Sequence, residues 1–353
     1  MKSYLNFTLK GGQLLPVWIA FFFFFLIPLY LFFDGLIDLT AEEVSANGPS
    51  KLFFLYLVIV LAMVFTFVFY NAKLVIQNLE YKGMKVICNY HVGRYIGIII
   101  SGIVLSIVTL GIYIPWLIKN MHRFFTNGTS YNSHKFAFKG NGKSLFLIMT
   151  FTIFIPFLVV GFVVFTIMKS EIEIWIYQVI VISILVVLIY LTFNWMTNIR
   201  YVNYLIKLDI GFFTAIWKIG IELVLAGIFV LIFRWLTLVS DVLLSNADFF
   251  PTPGKIVIEL ILAVFTAGFY FPMAFIRLYR YFTAHTKSNV VDEKQISMGY
   301  DGDQLADFLF IWGQILMTVI TFGIYYPWAF SRITHRVLTQ TFVTTDIILK
   351  SDK

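Results

Sequence analysis

Two residues of opposite charge, Lys218 and Glu222, stand four apart inside an apolar run at about 212–239. On a helix that spacing puts them on one face, where they can pair. Ionisable groups in an apolar segment are costly, so they mark either a neutralised structural pair or a path for a solute or proton. Arg234 lies toward the far end of the same run, and Glu259 lies in the next one, at 256–276, so the two could meet across a hairpin. Asn194 and Asn198, also four apart, close the run at 174–197. These six residues form the candidate intramembrane polar site. Asp307 opens the last run and reads as a helix cap.

Other chemistry is sparse. The chain has no HExxH and no GxSxG motif. Gly140-Asn-Gly142-Lys143-Ser144 suggests a phosphate loop, but a Walker A sequence needs glycine where Ala137 stands. It reads instead as a turn into a helix. His91, His122, His134, His285 and His335 show no metal-ligand spacing, and the single cysteine, Cys88, excludes an internal disulfide or a multi-cysteine metal site. No catalytic residue, metal or cofactor is expected. The net charge of +7 follows the placement of loops, so no nucleic-acid partner is expected either.

One stretch recurs. It is Thr109-Leu-Gly111-Ile-Tyr113-Ile-Pro115-Trp116, again Thr321-Phe-Gly323-Ile-Tyr325-Tyr-Pro327-Trp328, and in a third form Thr266-Ala-Gly268-Phe-Tyr270-Phe-Pro272-Met273. Cations follow each copy: Lys119 and Arg123, Arg332 and Arg336, Arg277 and Arg280. Gly and Pro interrupt or restart a helix. Tyr and Trp favour a membrane–water interface, and the cations beyond can snorkel to headgroups. The stretch reads as an interfacial hinge, with an anchoring role or a binding and gating role both open.

The elements that must position these residues follow from composition. The 353 residues are 60% hydrophobic and only 13% charged, with 40 Phe, against about 25% charged in soluble domains. Apolar runs lie near 14–33, 52–72, 95–118, 144–168, 174–197, 212–239, 256–276 and 305–330; a span needs about 20 residues. Eight alternating crossings divide Lys and Arg evenly between the two sides, against the positive-inside rule. If 95–118 and 305–330 return to the side they left, only Lys51, Lys169 and Lys255 of the 26 cations lie outside, with Lys218 and Arg234 inside a helix. The expectation is a mainly α, polytopic membrane protein: three transmembrane helical hairpins plus two re-entrant or interfacial segments, with eight crossings as the alternative and both termini cytoplasmic. Period-two alternation at Leu5–Leu9, Met84–Val92, Lys135–Lys139, Tyr204–Asp209 and Ile296–Asp301, with a β-branched stretch at Phe342–Leu349, adds short cytoplasmic β-strands. The whole is read as a single domain with internal repeats.

Phe136-Ala-Phe138-Lys-Gly140-Asn-Gly142 together with the Thr-x-Gly-Ile-Tyr-x-Pro-Trp stretches resembles the YjgN-like family of bacterial inner-membrane proteins, best over 84–200 and 296–340. The resemblance implies a bacterial cytoplasmic-membrane location and a multi-pass fold, and carries over no activity. The partners expected are the lipid bilayer and a small solute or lipid ligand; oligomeric state is left open. The functional expectation is permeation or transport of a small solute or lipid. The alternatives are a non-catalytic structural or lipid-binding envelope protein and, third, an intramembrane enzyme.

Overall fold

The computed structural model describes residues 2–26, 51–159, 171–245 and 269–347, with side chains left undescribed at 26, 51–58, 171–183, 229–245 and 346–347. Eleven short strands form one antiparallel sheet: β1 (Ser3–Phe7), β2 (Leu79–Tyr81), β3 (Met84–Lys85), β4 (Ile87–Cys88), β5 (Thr129–Tyr131), β6 (His134–Phe138), β7 (Ile199–Tyr201), β8 (Tyr204–Leu208), β9 (Thr286–Ser288), β10 (Lys294–Tyr300) and β11 (Thr341–Ile347). The spatial order is β3-β2-β1-β11-β10-β9-β8-β7-β6-β5-β4. Its two ends are neighbours in the chain, separated only by the buried Val86. Val86 N–H still bonds Leu79 C=O on the β2 side, and Asn89 N–H bonds Gly128 C=O beside β5. Residues 84–88 thus change partner midway, and the sheet nearly closes on itself. Such closure leaves little free edge to pair with other chains.

The order follows from a repeated β-α-α-β unit. Strand pairs β1/β2, β4/β5, β6/β7, β8/β9 and β10/β11 each hydrogen-bond across the ends of one helical excursion. Tight hairpins join one unit to the next. Lys82-Gly83, Asn132-Ser133 and Asp292-Glu293 all have positive φ at both central residues, the type I′ geometry whose twist matches that of paired strands. The chain ends close the ring: β1 pairs with β11, and Lys2 and Tyr4 both bond the Asp301 carboxylate.

The described helices are α1 (Gly11–Phe21, continued by a π segment Phe22–Leu26), α2 (Lys51–Gln77), α3 (Val92–Val108), α4 (Ile114–Asn127), α5 (Gly142–Met149, continued by a π segment Thr150–Phe154), α6 (Glu171–Met196), α7 (Phe212–Ser245), α8 (Phe271–Ala284), α9 (Gln304–Ile320) and α10 (Tyr326–Thr339). A seven-residue spacing ties helix to sheet. Phe7 and Leu14, Phe138 and Leu145, Leu208 and Ala215 are all buried, each pair joining a strand end to the first turn of the next helix.

This architecture corrects the expected fold class. The strands are not accessories to a mainly α polytopic body, because one nearly closed sheet gathers every unit. Among the described residues only Ile59–Gln77 and Gly142–Val159 are long and apolar enough to cross a membrane, and neither is mostly buried within the protein. Neither three hairpins nor eight crossings is therefore the framework. The physical reason lies in how the apolar runs divide. Those at 95–118 and 305–330 are each split into two short helices, α3–α4 and α9–α10, whose outer ends meet in the sheet. Parts of the runs at 14–33, 144–168, 212–239 and 256–276 lie outside the residues described here or lack described side chains. Two exposed apolar helices are what the structure offers toward membrane association.

Candidate functional site

The recurrent stretch is a turn between two helices, built the same way twice. Thr109 and Thr321 cap α3 and α9 at their C-termini. Gly111 and Gly323 follow with φ of +90° and +85°, a region open to glycine and costly for most other residues. Their N–H groups reach back to Ser106 and Thr318 C=O, satisfying carbonyls that the helix end would otherwise leave unpaired. Each Thr hydroxyl then accepts from the N–H of Tyr113 or Tyr325 at 3.0 Å, which fixes where the second helix starts. Pro115, Pro272 and Pro327 occupy the first turn of that helix and are buried, a place where the missing N–H costs nothing. The proline therefore starts a helix rather than breaking one. Gly268 lies outside the described residues.

Trp116 and Trp328 stack on Tyr113 and Tyr325, with ring centroids 6.1 and 6.0 Å apart. Each indole also lies over the first residue of a neighbouring unit's leading helix. A Cβ on Gly142 would stand 2.8 Å from Trp116, and one on Gly11 would stand 2.6 Å from Trp328. The tryptophans are thus the contacts between adjacent units, and the second of these contacts helps close the ring.

The polar site belongs to the fourth unit, between α7 and α8. Glu222, 1% exposed, is the eleventh residue of α7. Its carboxylate faces Lys218 Nζ at 3.2 Å and Arg277 Nη1 at 3.6 Å, and accepts from Tyr270 Oη at 2.7 Å. Arg277 in turn donates to Tyr270 Oη at 2.8 Å. A cleft of about 470 Å³ opens beside the cluster, lined by Lys218, Arg277, Arg280 and His285. The Lys218–Glu222 pairing matches the helical spacing. Tyr270 and Arg277, which the sequence suggests only as hinge and headgroup residues, complete the cluster from the other helix of the unit.

The last unit repeats the frame with different charge. Gln314 is the eleventh residue of α9, and its side-chain oxygen accepts from Tyr325 Oη at 3.1 Å, while Arg332 donates to the same hydroxyl at 2.6 Å. A Tyr followed seven residues on by Arg is the sequence signal, visible at Tyr270–Arg277 and Tyr325–Arg332.

A second buried acid, Asp307, is not the helix cap that its position suggests. The cap of α9 is Asp303, which accepts from Ala306 N–H at 2.8 Å. Asp307 is fully buried instead and pairs with Arg336, with Tyr300 donating to its other oxygen. Tyr300 and Asp307 occupy the seven-residue core positions that are Phe7/Leu14 and Phe138/Leu145 in other units. Burial first, and then the bond to Asp307, push the Tyr300 hydroxyl well up, so it stays a donor.

The remaining candidates fall into two groups. Asn194 lies half-buried in α6, and Asn198 has a buried side-chain oxygen without a hydrogen-bond partner. Arg234 lies in α7 with its side chain undescribed, and Glu259 lies outside the described residues. Among the described residues no group of His, Cys, Asp and Glu is arranged to hold a metal.

A family model described as a bacterial protein of unknown function (DUF898) matches residues 2–117 and 91–204, overlapping stretches that together cover more than half of the chain. No curated protein and no solved structure matches it.

Proposed function

We propose that this chain, which belongs to the bacterial DUF898 family, is a non-catalytic, lipid-organising protein of the cytoplasmic membrane. Its helices enter the bilayer, and its sheet, with both termini, lies on the cytoplasmic face. One observation carries the reading. The two helical turns described at the ends remote from the sheet, between α3 and α4 and between α9 and α10, are apolar and bare: Leu110 is 93% exposed and Phe322 79%. Turns facing water are normally polar, and adjoining exposed apolar surface of this kind marks a contact with lipid or protein. The hairpins at the opposite end carry Lys82, Lys85, Lys135, Lys207 and Lys294, as the positive-inside rule asks of a cytoplasmic surface.

The test is depth. With Cys88 replaced by Ser, a fluorophore on a cysteine at Leu110 or Phe322 should be quenched by brominated acyl chains, and one at Asn132 should not. Absence of quenching at both tips would remove the basis for the proposal. Permeation has one observation on its side, the cleft beside Glu222. Two cations already meet that carboxylate, which favours fixed pairing over passage. Solute flux in reconstituted vesicles that Glu222→Gln abolishes would reverse this preference.

A further inference from the structure

The second unit builds the same cleft as the fourth but omits its acid. In the fourth unit, Arg277, Arg280 and Tyr281 stand seven, ten and eleven residues after Tyr270; in the second, Asn120, Arg123 and Phe124 stand at those distances from Tyr113. Both sets line a cleft, about 470 Å³ in the fourth unit and about 670 Å³ in the second. Glu222 meets two of the three cations of the first, Lys218 and Arg277. The corresponding eleventh helical residue in α3 is Gly102, and Leu117 takes up the space, lying 2.3 Å from where a Cβ would be. The larger cleft is therefore lined by His91, Arg94, Arg123 and Lys135, with Asn89 and Asn120 as neutral donors, and by no carboxylate. Among the described residues Arg94, Arg123 and Lys135 have no acidic partner within salt-bridge distance.

The two arginines converge because α3 and α4 run antiparallel from one sheet. Arg94 lies in the first turn of α3, and Arg123 lies in the last turns of α4, so both sit at the helix–sheet junction. We propose that this cleft binds a phosphate group, carried by a phospholipid headgroup or free in solution. Guanidinium forks match phosphate oxygens in pairs, a lysine adds a point charge, and the asparagine amides supply further donors. The volume exceeds that of a bare phosphate and leaves room for a substituent. The inference rests on the membrane reading only for the source of the phosphate. The cation convergence itself stands apart from it.

The test uses the full chain in dodecyl maltoside, which carries no phosphate. Inorganic phosphate and dihexanoyl phosphatidylglycerol are titrated separately by calorimetry. Losing charge-assisted hydrogen bonds should weaken binding in Arg94→Gln/Arg123→Gln by about tenfold or more. Arg200→Gln, on β7 and outside the cleft, should bind as the parent does. Binding of the phospholipid alone supports the site and makes the headgroup its ligand; binding of both supports it with free phosphate sufficient. If the Gln pair does not fold, Arg94→Lys/Arg123→Lys keeps the charge, loses the fork, and should still bind measurably more weakly. Binding of neither probe would overturn the proposal. So would undiminished binding in the arginine variants, or an equal loss in Arg200→Gln.

Discussion

Glu222→Gln separates a carboxylate held by its surroundings from one held for its charge. The perturbation is small in shape, and the last unit has already made it: Gln314 occupies the corresponding position and accepts from Tyr325 Oη at 3.1 Å. Gln at 222 can accept from Tyr270 in the same way. What is lost is attraction to Lys218 at 3.2 Å and Arg277 at 3.6 Å. Those side chains are 37% and 35% exposed, so both can turn to water, and the expected cost is only about 1–2 kcal/mol. Removing the cations is a different matter. Lys218→Met/Arg277→Met leaves a carboxylate at 1% exposure with one tyrosine for company, and an orphaned buried charge costs about 3–5 kcal/mol. Adding Glu222→Gln to that pair should recover most of the loss, because the second change removes the charge that was stranded. The assay is equilibrium unfolding in mixed micelles followed by tryptophan fluorescence, with all four proteins in one cycle. If Glu222→Gln costs as much as the double Met variant, or gives no rescue when added to it, the correspondence between the fourth and fifth units is wrong.

Three further outcomes follow from the same geometry. Gly142→Ala and Gly11→Ala should each destabilise, by roughly 1–3 kcal/mol for overpacking, and pairing either with Trp116→Leu or Trp328→Leu at its own contact should relieve part of the loss in the same unfolding assay. Gly323→Ala, at φ +85°, should lower the unfolding midpoint, whereas Gly313→Ala, with open space at its Cβ and a helical backbone, should raise it slightly. Burial holds the His122 imidazole below its usual value of 6.5, packed 4.3 Å from the Phe138 ring. The unfolded chain therefore takes up its proton first. Stability should fall as pH drops below about 6.5 toward the folded-state value, measured as a falling midpoint, and His122→Phe should flatten that part of the profile.

What could be read from the chain was local, and what could not be read joins distant units. Strands of five or more residues, such as His134–Phe138 and Lys294–Tyr300, show their alternation in the sequence. Leu79–Tyr81, Thr129–Tyr131, Ile199–Tyr201 and Thr286–Ser288 have three residues each, too few for a period of two to register. Each pairs with a strand that does alternate, so these strands are specified by their partners. Lys218 and Glu222 are legible because one helix turn holds them. Arg277 is not, because only the return of α8 to the sheet brings it to the carboxylate. The glycines were visible, but their reason was not: Gly142 and Gly11 are small because a tryptophan from another unit lies on them.

The repeat frame turns such distant facts into comparisons between corresponding positions. The eleventh residue of the leading helix is Gly102, Glu222 or Gln314 according to the unit. Where it is Glu222, two nearby cations share its carboxylate. Where it is Gln314, the Tyr–Arg pair is kept and the carboxylate is replaced by an amide. Where it is Gly102, apolar Leu117 fills the space and the cations beyond it face an open cleft. Each of these units keeps a tyrosine at the start of its second helix. The fold does not need the acid, since two of the three units stand without one. The charge at this position is therefore free to vary with what each cleft does, and that freedom is what leaves the second cleft with cations alone where the fourth sets a carboxylate against two of its own.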